Sequence, residues 1–287
     1  MGMDETWQFV RASLTVPGVS AAHGYLNDGL AVGVHRGLPS RHLTFVISLE
    51  EPITSAGSAQ EWRQNRLTRN DVIVTGLHTR PAYVLQPARQ VGIQLAVHPL
   101  AARRLLGVPA GELTEGTHEG IDVLGCEVRI LRDRLHDLPT WQQRLHAVDQ
   151  FLWARTNSSE RRQAPRPEVA AAWHWLATTG GSGSVYDLAR HAAMSSRQLS
   201  MLMHRELGVG PKMIGRLMRF DHAVAALSAE VRAGGPPNLT DIAHRCGYYD
   251  QSHLVRDFHQ FTDAAPTLFL SEEIRNIQAG GHQPATE

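Results

Sequence analysis

The sequence predicts an α+β protein with a small strand-rich N-terminal domain and an all-α C-terminal domain. Strand-like segments bounded by turn residues occur before Pro99, and helical apolar periodicity replaces them after it. A chain of 287 residues with 42% hydrophobic content is long enough to bury two cores. These observations favour two domains of different secondary structure.

The N-terminal domain is predicted from four strand-like segments followed by three helical ones. The last strand segment places Val91, Ile93, Leu95 and Val97 on one face, as in a half-buried strand. We expect a small β-barrel or sandwich, cupin-like, with a helical layer closing it. The strand segments are residues 19–26, 42–49, 71–77 and 91–97, and the helical segments are residues 99–106, 121–138 and 139–154.

A linker is predicted between the domains. Residues 156–167 have no apolar periodicity and contain Pro165 and Pro167, which is typical of a solvated connection. The expected organisation is therefore an N-terminal domain at 1–155, this linker, a helical domain at 168–276 and a flexible tail at 277–287.

Composition excludes several classes of protein. No apolar run resembles a secretion signal or a membrane span, so we expect a cytoplasmic protein without a membrane partner. The two cysteines lack metal or redox spacing and are predicted to be buried thiols, and the histidines of the N-terminal part do not form a metal-binding pattern. No catalytic residue, metal or cofactor is expected. The residues in question are Cys126, Cys246, His23, His35, His42 and His78.

A helix-turn-helix pattern occupies residues 185–207, VYDLARHAAMSSRQLSMLMHREL. Two apolar helix faces flank a tight connection, and Ser184 and Ser195 stand where each helix needs a capping side chain. The small Ala189 allows the helices to cross closely, and Met194 fills the space between them. This segment is predicted to be one DNA-binding unit.

The same pattern recurs at residues 239–261, LTDIAHRCGYYDQSHLVRDFHQF. Ala243 lies 54 positions after Ala189, Gly247 supplies the turn, and Tyr248 takes the place of Met194. Between the two units, residues 212–229 carry apolar residues at helical spacing. One long helix is therefore predicted to join the two units.

At about residues 168–270 the chain resembles the AraC family of bacterial transcription regulators. Residues 91–113 also resemble sensor domains attached to such regions. The resemblance implies a regulator of double-stranded DNA that is a homodimer, responds to a small-molecule effector and contacts RNA polymerase if it is an activator. The matching residues are Ile242, Ala243, Gly247, Tyr248, Gln251, Ser252, Leu254, Arg256, Phe258 and Pro266 in the second unit and Leu188, Ala189, Ser195, Leu199, Gly208 and Pro211 in the first.

Two positions depart from the family pattern. Asp263 stands where a glycine usually follows the last recognition helix, which predicts a slightly altered helix end. Met201 stands where the family often has an arginine directed to DNA. The departure at Met201 leaves a DNA contact there undecided.

The residues expected to face DNA lie away from the apolar helix faces. Glutamine suits adenine, and arginine suits guanine or phosphate, whereas the alternative is a solvated helix surface without contacts. The predicted DNA-binding residues are Ser196, Arg197 and Ser200 in the first unit and Asp250, Gln251, Ser252, His253 and Arg256 in the second.

Two alternatives to a DNA-binding regulator stay open, the first of them because of the charge and Met201 and the second because some proteins with this type of DNA-binding region repair DNA. Residues 180–270 contain nine Lys or Arg and eight Asp or Glu, which is a low balance for binding phosphates. A ligand-binding or interaction protein with weakened DNA binding is one alternative. A DNA-repair enzyme is the other, although its chemistry requires a cluster of thiolates and this chain has two separated cysteines.

Overall fold

A computed structural model describes residues 6–29, 31–114, 116–156 and 164–278. The predicted linker falls largely outside these ranges, at residues 157–163, as does the predicted tail from residue 279 onward. Within the described ranges the chain is mixed helix and strand, which confirms the predicted α+β class. The boundary between the two domains stays a prediction.

Ten strands in the described residues form two antiparallel sheets. One sheet has the order β1-β2-β9-β4-β7-β10 and the other β3-β8-β5-β6, and neither closes on itself. The expectation of a barrel was therefore wrong, and the open two-sheet alternative describes the domain. The strands are β1 Thr6–Ala12, β2 Val19–Asp28, β3 Gly33–Gly37, β4 Leu43–Ser48, β5 Ile53–Ala56, β6 Thr68–Asn70, β7 Val72–Thr75, β8 Ala82–Gln86, β9 Arg89–Val97 and β10 Thr117–Glu119.

The four predicted strands are confirmed as β2, β4, β7 and β9, which lie side by side in the larger sheet. Their apolar residues are buried because helices cover that sheet; Phe45, Val74 and Ile93 are fully buried. The sequence did not predict the other six strands. Several of these have only three to five residues, too few to show alternation.

The described residues form twelve α-helices. They are α1 Ala59–Arg63, α2 Ala102–Leu106, α3 Gly120–Leu124, α4 Glu127–Asp137, α5 Trp141–Thr156, α6 Pro167–Thr178, α7 Val185–His191, α8 Ser196–Leu207, α9 Pro211–Arg232, α10 Leu239–Arg245, α11 Gln251–Thr262 and α12 Pro266–Gln278. Short 3-10 helices occupy Pro99–Ala101 and Ala110–Leu113.

Three details of the sequence prediction differ from the structure. The single helix expected at 121–138 is divided into α3 and α4, because Gly125 takes a left-handed φ of 82° and ends α3. Pro167 lies inside the first turn of α6 instead of in the linker, where its missing amide hydrogen costs no helical hydrogen bond. The predicted tail also begins too early, since α12 continues to Gln278.

The buried apolar residues form two clusters. The larger one joins the β-sheet and α5 to α6, α7 and α8, so residues on both sides of the predicted linker share it. The smaller cluster joins the second half of α9 to α10, α11 and α12. The first helix-turn-helix unit is thus packed on the N-terminal part, while the second unit has a core of its own.

The cysteines differ in exposure. Cys246 is buried, and burial raises the pKa of its thiol, as expected for an inert structural cysteine. Cys126 is exposed, so the expectation that both thiols are buried was wrong. It precedes the first turn of α4, where its side chain points to solvent.

Across the described residues, no helix combines the length and apolar character needed to cross a membrane.

Candidate nucleic-acid interface

The first unit consists of α7 and α8. The Ser184 hydroxyl accepts a hydrogen bond from the Asp187 amide at 3.1 Å and begins α7. Ser195 and Gln198 form a reciprocal capping box that begins α8. Between the helices Ala193 adopts a φ of 53°, and the Met194 amide donates to the Ala189 carbonyl at 2.9 Å. The predicted caps and turn of this unit are confirmed.

The second unit consists of α10 and α11. Asn238 caps α10, and Gly247 makes the turn with a φ of 75°. A Cβ at position 247 would lie 2.7 Å from the Ser182 hydroxyl oxygen, so a side chain there meets both strain and crowding. Tyr248 is buried beneath the turn, as predicted from its equivalence to Met194.

Helix α9 fixes the two units to each other. The Arg216 guanidinium binds the buried Asp257 carboxylate of α11 at 2.6 Å. Arg219 donates to the Gly181 carbonyl at 2.5 Å, next to the first unit. The Phe220 ring packs edge-on against Phe258 and at a tilt against Phe261 of α11, with ring centroids about 5 Å apart. A single helix therefore positions both recognition helices.

The recognition helices α8 and α11 have the same length and are 55 positions apart. Their buried faces correspond, with Leu199 matching Leu254 and Met203 matching Phe258. The spacing is one residue longer than the 54 positions between the two alanines, because the second turn contains an additional residue, Tyr249. Tyr249 is 86% exposed.

In the first recognition helix, Arg197 is exposed as predicted, and Ser196 and Ser200 are partly exposed. None of the three side chains belongs to the capping box or to the buried face. In the second recognition helix, Ser252 and Arg256 are exposed and lie one turn apart. These five residues are thus at least partly exposed on the two helices.

The other three predicted residues have structural contacts. The Asp250 carboxylate accepts from the His253 amide at 2.7 Å and caps α11. The His253 ring packs edge-on against Tyr248, with centroids 5.1 Å apart. The Gln251 side-chain oxygen accepts from the Thr240 hydroxyl at 3.0 Å, which leaves the exposed amide group to donate outward.

Sequence reasoning named His204 as an aid to DNA binding but missed three nearby exposed residues, Arg205, His259 and Tyr249. His204 and Arg205 follow Met201 on α8, and His259 follows Arg256 on α11. Spacings of three and four residues from Met201 and Arg256 could have identified those on the helices. Tyr249 could have been found from the unequal spacing of the two units.

Asp263 ends α11 in the left-handed conformation usual for a helix end, and not in the slightly altered one that was predicted. Its φ is 53° and its ψ is 22°, so aspartate adopts the conformation that glycine adopts more easily. The Tyr83 hydroxyl donates to the Asp263 carboxylate at 2.6 Å. The altered residue at this helix end therefore provides a contact with the N-terminal part that glycine could not.

Further polar contacts join the N-terminal part to both units. The Arg103 guanidinium binds Glu206 of α8 at 3.0 Å. The Arg41 amide donates to Asp221 of α9 at 3.1 Å. On α12, Glu272 pairs with Arg36 and Glu273 with His35, the latter at 3.1 Å. The N-terminal part supplies the basic groups and the helical part the acidic groups.

Comparison with known proteins identifies the class of the helical part. A family model described as a helix-turn-helix domain matches residues 188–272, which include both units and the helix between them. This part of the chain is therefore a helix-turn-helix domain of the AraC type, the DNA-binding part of a transcription regulator. The resemblance found in the sequence is confirmed. No curated protein matches the sequence.

Solved structures similar to the whole chain come from Vibrio cholerae. The apo form of a ToxT variant from strain SCE256 has a TM-score of 0.49 and 11% identity, covering 87% of this chain and 97% of its own. ToxT from strain O395 has a TM-score of 0.48 and 10% identity, with 87% and 96% covered. Wild-type ToxT bound to an unsaturated fatty acid has a TM-score of 0.48 and 10% identity, with 87% and 94% covered.

Proposed function

We propose that the protein is a sequence-specific transcription regulator that places α8 and α11 in two segments of the DNA major groove. The observation that carries this proposal is the pair of corresponding exposed faces on two capped helices joined by α9. In helix-turn-helix proteins the second helix enters the major groove and its N-terminal residues contact base edges. Arg197 and Arg256 are the side chains best suited to guanine or phosphate.

The placement of acidic residues supports DNA binding despite the low net charge. The acidic side chains of residues 180–270 largely contact other protein groups, so they offset fewer of the exposed cations than the count implies. Glu206 and Asp221 bind Arg103 and Arg41, Asp263 binds Tyr83, Asp257 binds Arg216, Glu230 and Asp241 bind Arg245, and Asp187 and Asp250 stand in helix caps. Arg197, Arg205 and Arg256 remain exposed.

The N-terminal part is the proposed sensor and dimerisation domain. Its contacts reach α8 through Arg103 and α12 through Arg36, so a change in its shape would alter the position of one unit relative to the other. Such a change would couple effector binding to DNA binding if the effector binds the two arrangements differently. A homodimer would double the phosphate contacts available to this weakly charged domain.

A cavity of about 130 Å³ between the two sheets supports an effector site. Carboxylates and guanidinium groups line it and pair with one another, Arg89 with Glu50 at 2.9 Å and Arg69 with Glu51 at 3.9 Å. A small molecule with charges of both signs would bind there by replacing these pairs.

The function is tested by selecting bound duplexes from a random DNA pool with the full-length chain. We expect one enriched motif containing two half-sites whose centres are about 10 base pairs apart, as for two recognition helices on one face of the duplex. Failure to enrich any motif at low salt would favour an interaction protein with weakened DNA binding. Repeating the selection with a panel of zwitterionic metabolites tests the effector.

A further inference from the structure

The exposed faces of the two recognition helices differ in the order of their side chains. Arg197, Met201 and His204 follow one another along α8, and the corresponding residues of α11 are Ser252, Arg256 and His259. Each set of three contains one arginine, but the arginine of α11 lies one turn further along its helix than the arginine of α8. The position held by Arg256 in the second unit is held by a methionine in the first.

Met201 is not part of the protein core. It is 56% exposed, whereas Leu199 and Met203 on the opposite side of α8 are fully buried and complete the packing of the unit. The side chain lies one turn from Arg197 and one turn from Arg205, both exposed. An apolar side chain is thus flanked by two cations at the centre of the surface proposed to face DNA.

We propose that Met201 contacts the methyl group of a thymine in the first half-site. The inference rests on the proposed function. The thymine methyl is the apolar group that base pairs present in the major groove, and a methionine side chain is long, flexible and apolar enough to cover it. Arg197 and Arg205 lie on either side of Met201. They would bind phosphate or guanine and so hold α8 in the major groove.

The two half-sites therefore differ in chemistry. The first unit selects an A·T pair at the position where the second unit, through Arg256, selects guanine or binds phosphate. A site of this kind has a defined direction, so the protein binds it in one orientation only. An arginine at both positions would have made the two contacts alike.

The test uses the motif enriched by the full-length chain, with each thymine replaced in turn by deoxyuridine. Deoxyuridine lacks the methyl group but keeps the hydrogen-bonding edge of thymine. We expect one position in one half-site to lower affinity about fourfold, which corresponds to about 0.8 kcal/mol for one buried methyl group. Met201→Ala should bind the thymine and deoxyuridine sites equally, and Met201→Leu should keep the difference.

A second variant tests the proposal through the base pair that the protein prefers. Met201→Arg should shift the preferred base pair at that position from A·T to G·C, as arginine prefers guanine. If a motif is enriched but no thymine is sensitive, or if Met201→Ala keeps the sensitivity, the thymine contact is wrong while the function stands. If no motif is enriched, the proposed function itself fails.

Discussion

Single residues set the geometry of each unit, and Ala243 is the most constrained of them. It is fully buried where α10 meets its neighbours. Ala243→Glu should unfold the second unit, because a buried unpaired carboxylate and its added volume cost several kcal/mol. Ala233→Glu, at an exposed position just after α9, is the matched control. Circular dichroism melting that is equal for the two variants would refute the burial of Ala243.

The buried carboxyl of Asp221 should make the stability of the protein depend on pH. Burial raises the pKa of this carboxyl from its usual range to about 7, although the Arg41 amide, the Arg41 charge and the Ser40 hydroxyl act in the opposite direction. Because the unfolded chain loses this proton near pH 4, the contribution of Asp221 to stability declines as pH rises from about 4 to 7.

The variant Asp221→Asn removes this titration. Relative to the wild type, its free energy of unfolding should rise by on the order of 1 to 3 kcal/mol between pH 5 and pH 8. Urea unfolding at both pH values measures the change, and other titrating groups cancel in the comparison. A constant difference between the two proteins would show that Asp221 titrates as it does in the unfolded chain.

At this scale the sequence predicts contacts between near neighbours better than contacts between distant ones. The serine caps of α7 and α8 and the left-handed Asp263 follow from residue type and position. The bond from Tyr83 to Asp263 joins residues 180 positions apart, and nothing local indicates it. Asp250 and His253 are an exception among near neighbours, because they were predicted to face DNA and instead cap α11 and pack on its turn.

Among the structural elements, the turn of the second unit gives the sharpest prediction. Gly247→Ala should lower stability by about 1 to 2 kcal/mol, because the φ of 75° strains any side chain and its Cβ would crowd Ser182. Gly235→Ala is the control, since no atom lies near its Cβ and its φ is not left-handed. Equal denaturant midpoints for the two variants would contradict the turn geometry.

Long, periodic elements were predicted and short ones were not. The central strands β2, β4, β7 and β9 and the helix α9 carry enough apolar residues to show a period. The strands β3 and β6 have only five and three residues, and β3 pairs with β8, which is distant in sequence. Gly125 was read as an ordinary helical residue because its left-handed conformation depends on the packing of α3 and α4.

At the scale of the whole molecule, the shared core predicts unequal stability within the helical domain. Helices α6, α7 and α8 bury residues such as Val169 and Leu207 in the same cluster as Leu105 and Leu113 of the N-terminal part. In an isolated segment of residues 164–278 these helices would lose that cover. The second unit, with Phe258 and its neighbours, would keep its own core.

Hydrogen exchange measures this difference directly. In the isolated segment, the amides of α8 should exchange at least tenfold faster than in the full chain, while the amides of α11 should change little. The full-length protein under the same conditions is the control. Equal loss of protection in both helices would indicate that the two units depend on the N-terminal part to the same extent.

The central claim is that both recognition helices contact DNA, and a mobility-shift assay on the enriched site tests it most directly. Arg197→Ala and Arg256→Ala should each weaken specific binding by about 1 to 3 kcal/mol, and the double variant by about their sum. Arg129→Ala, at an exposed position on α4, should bind as the wild type does. Unchanged affinity and base preference in the double variant would contradict the account.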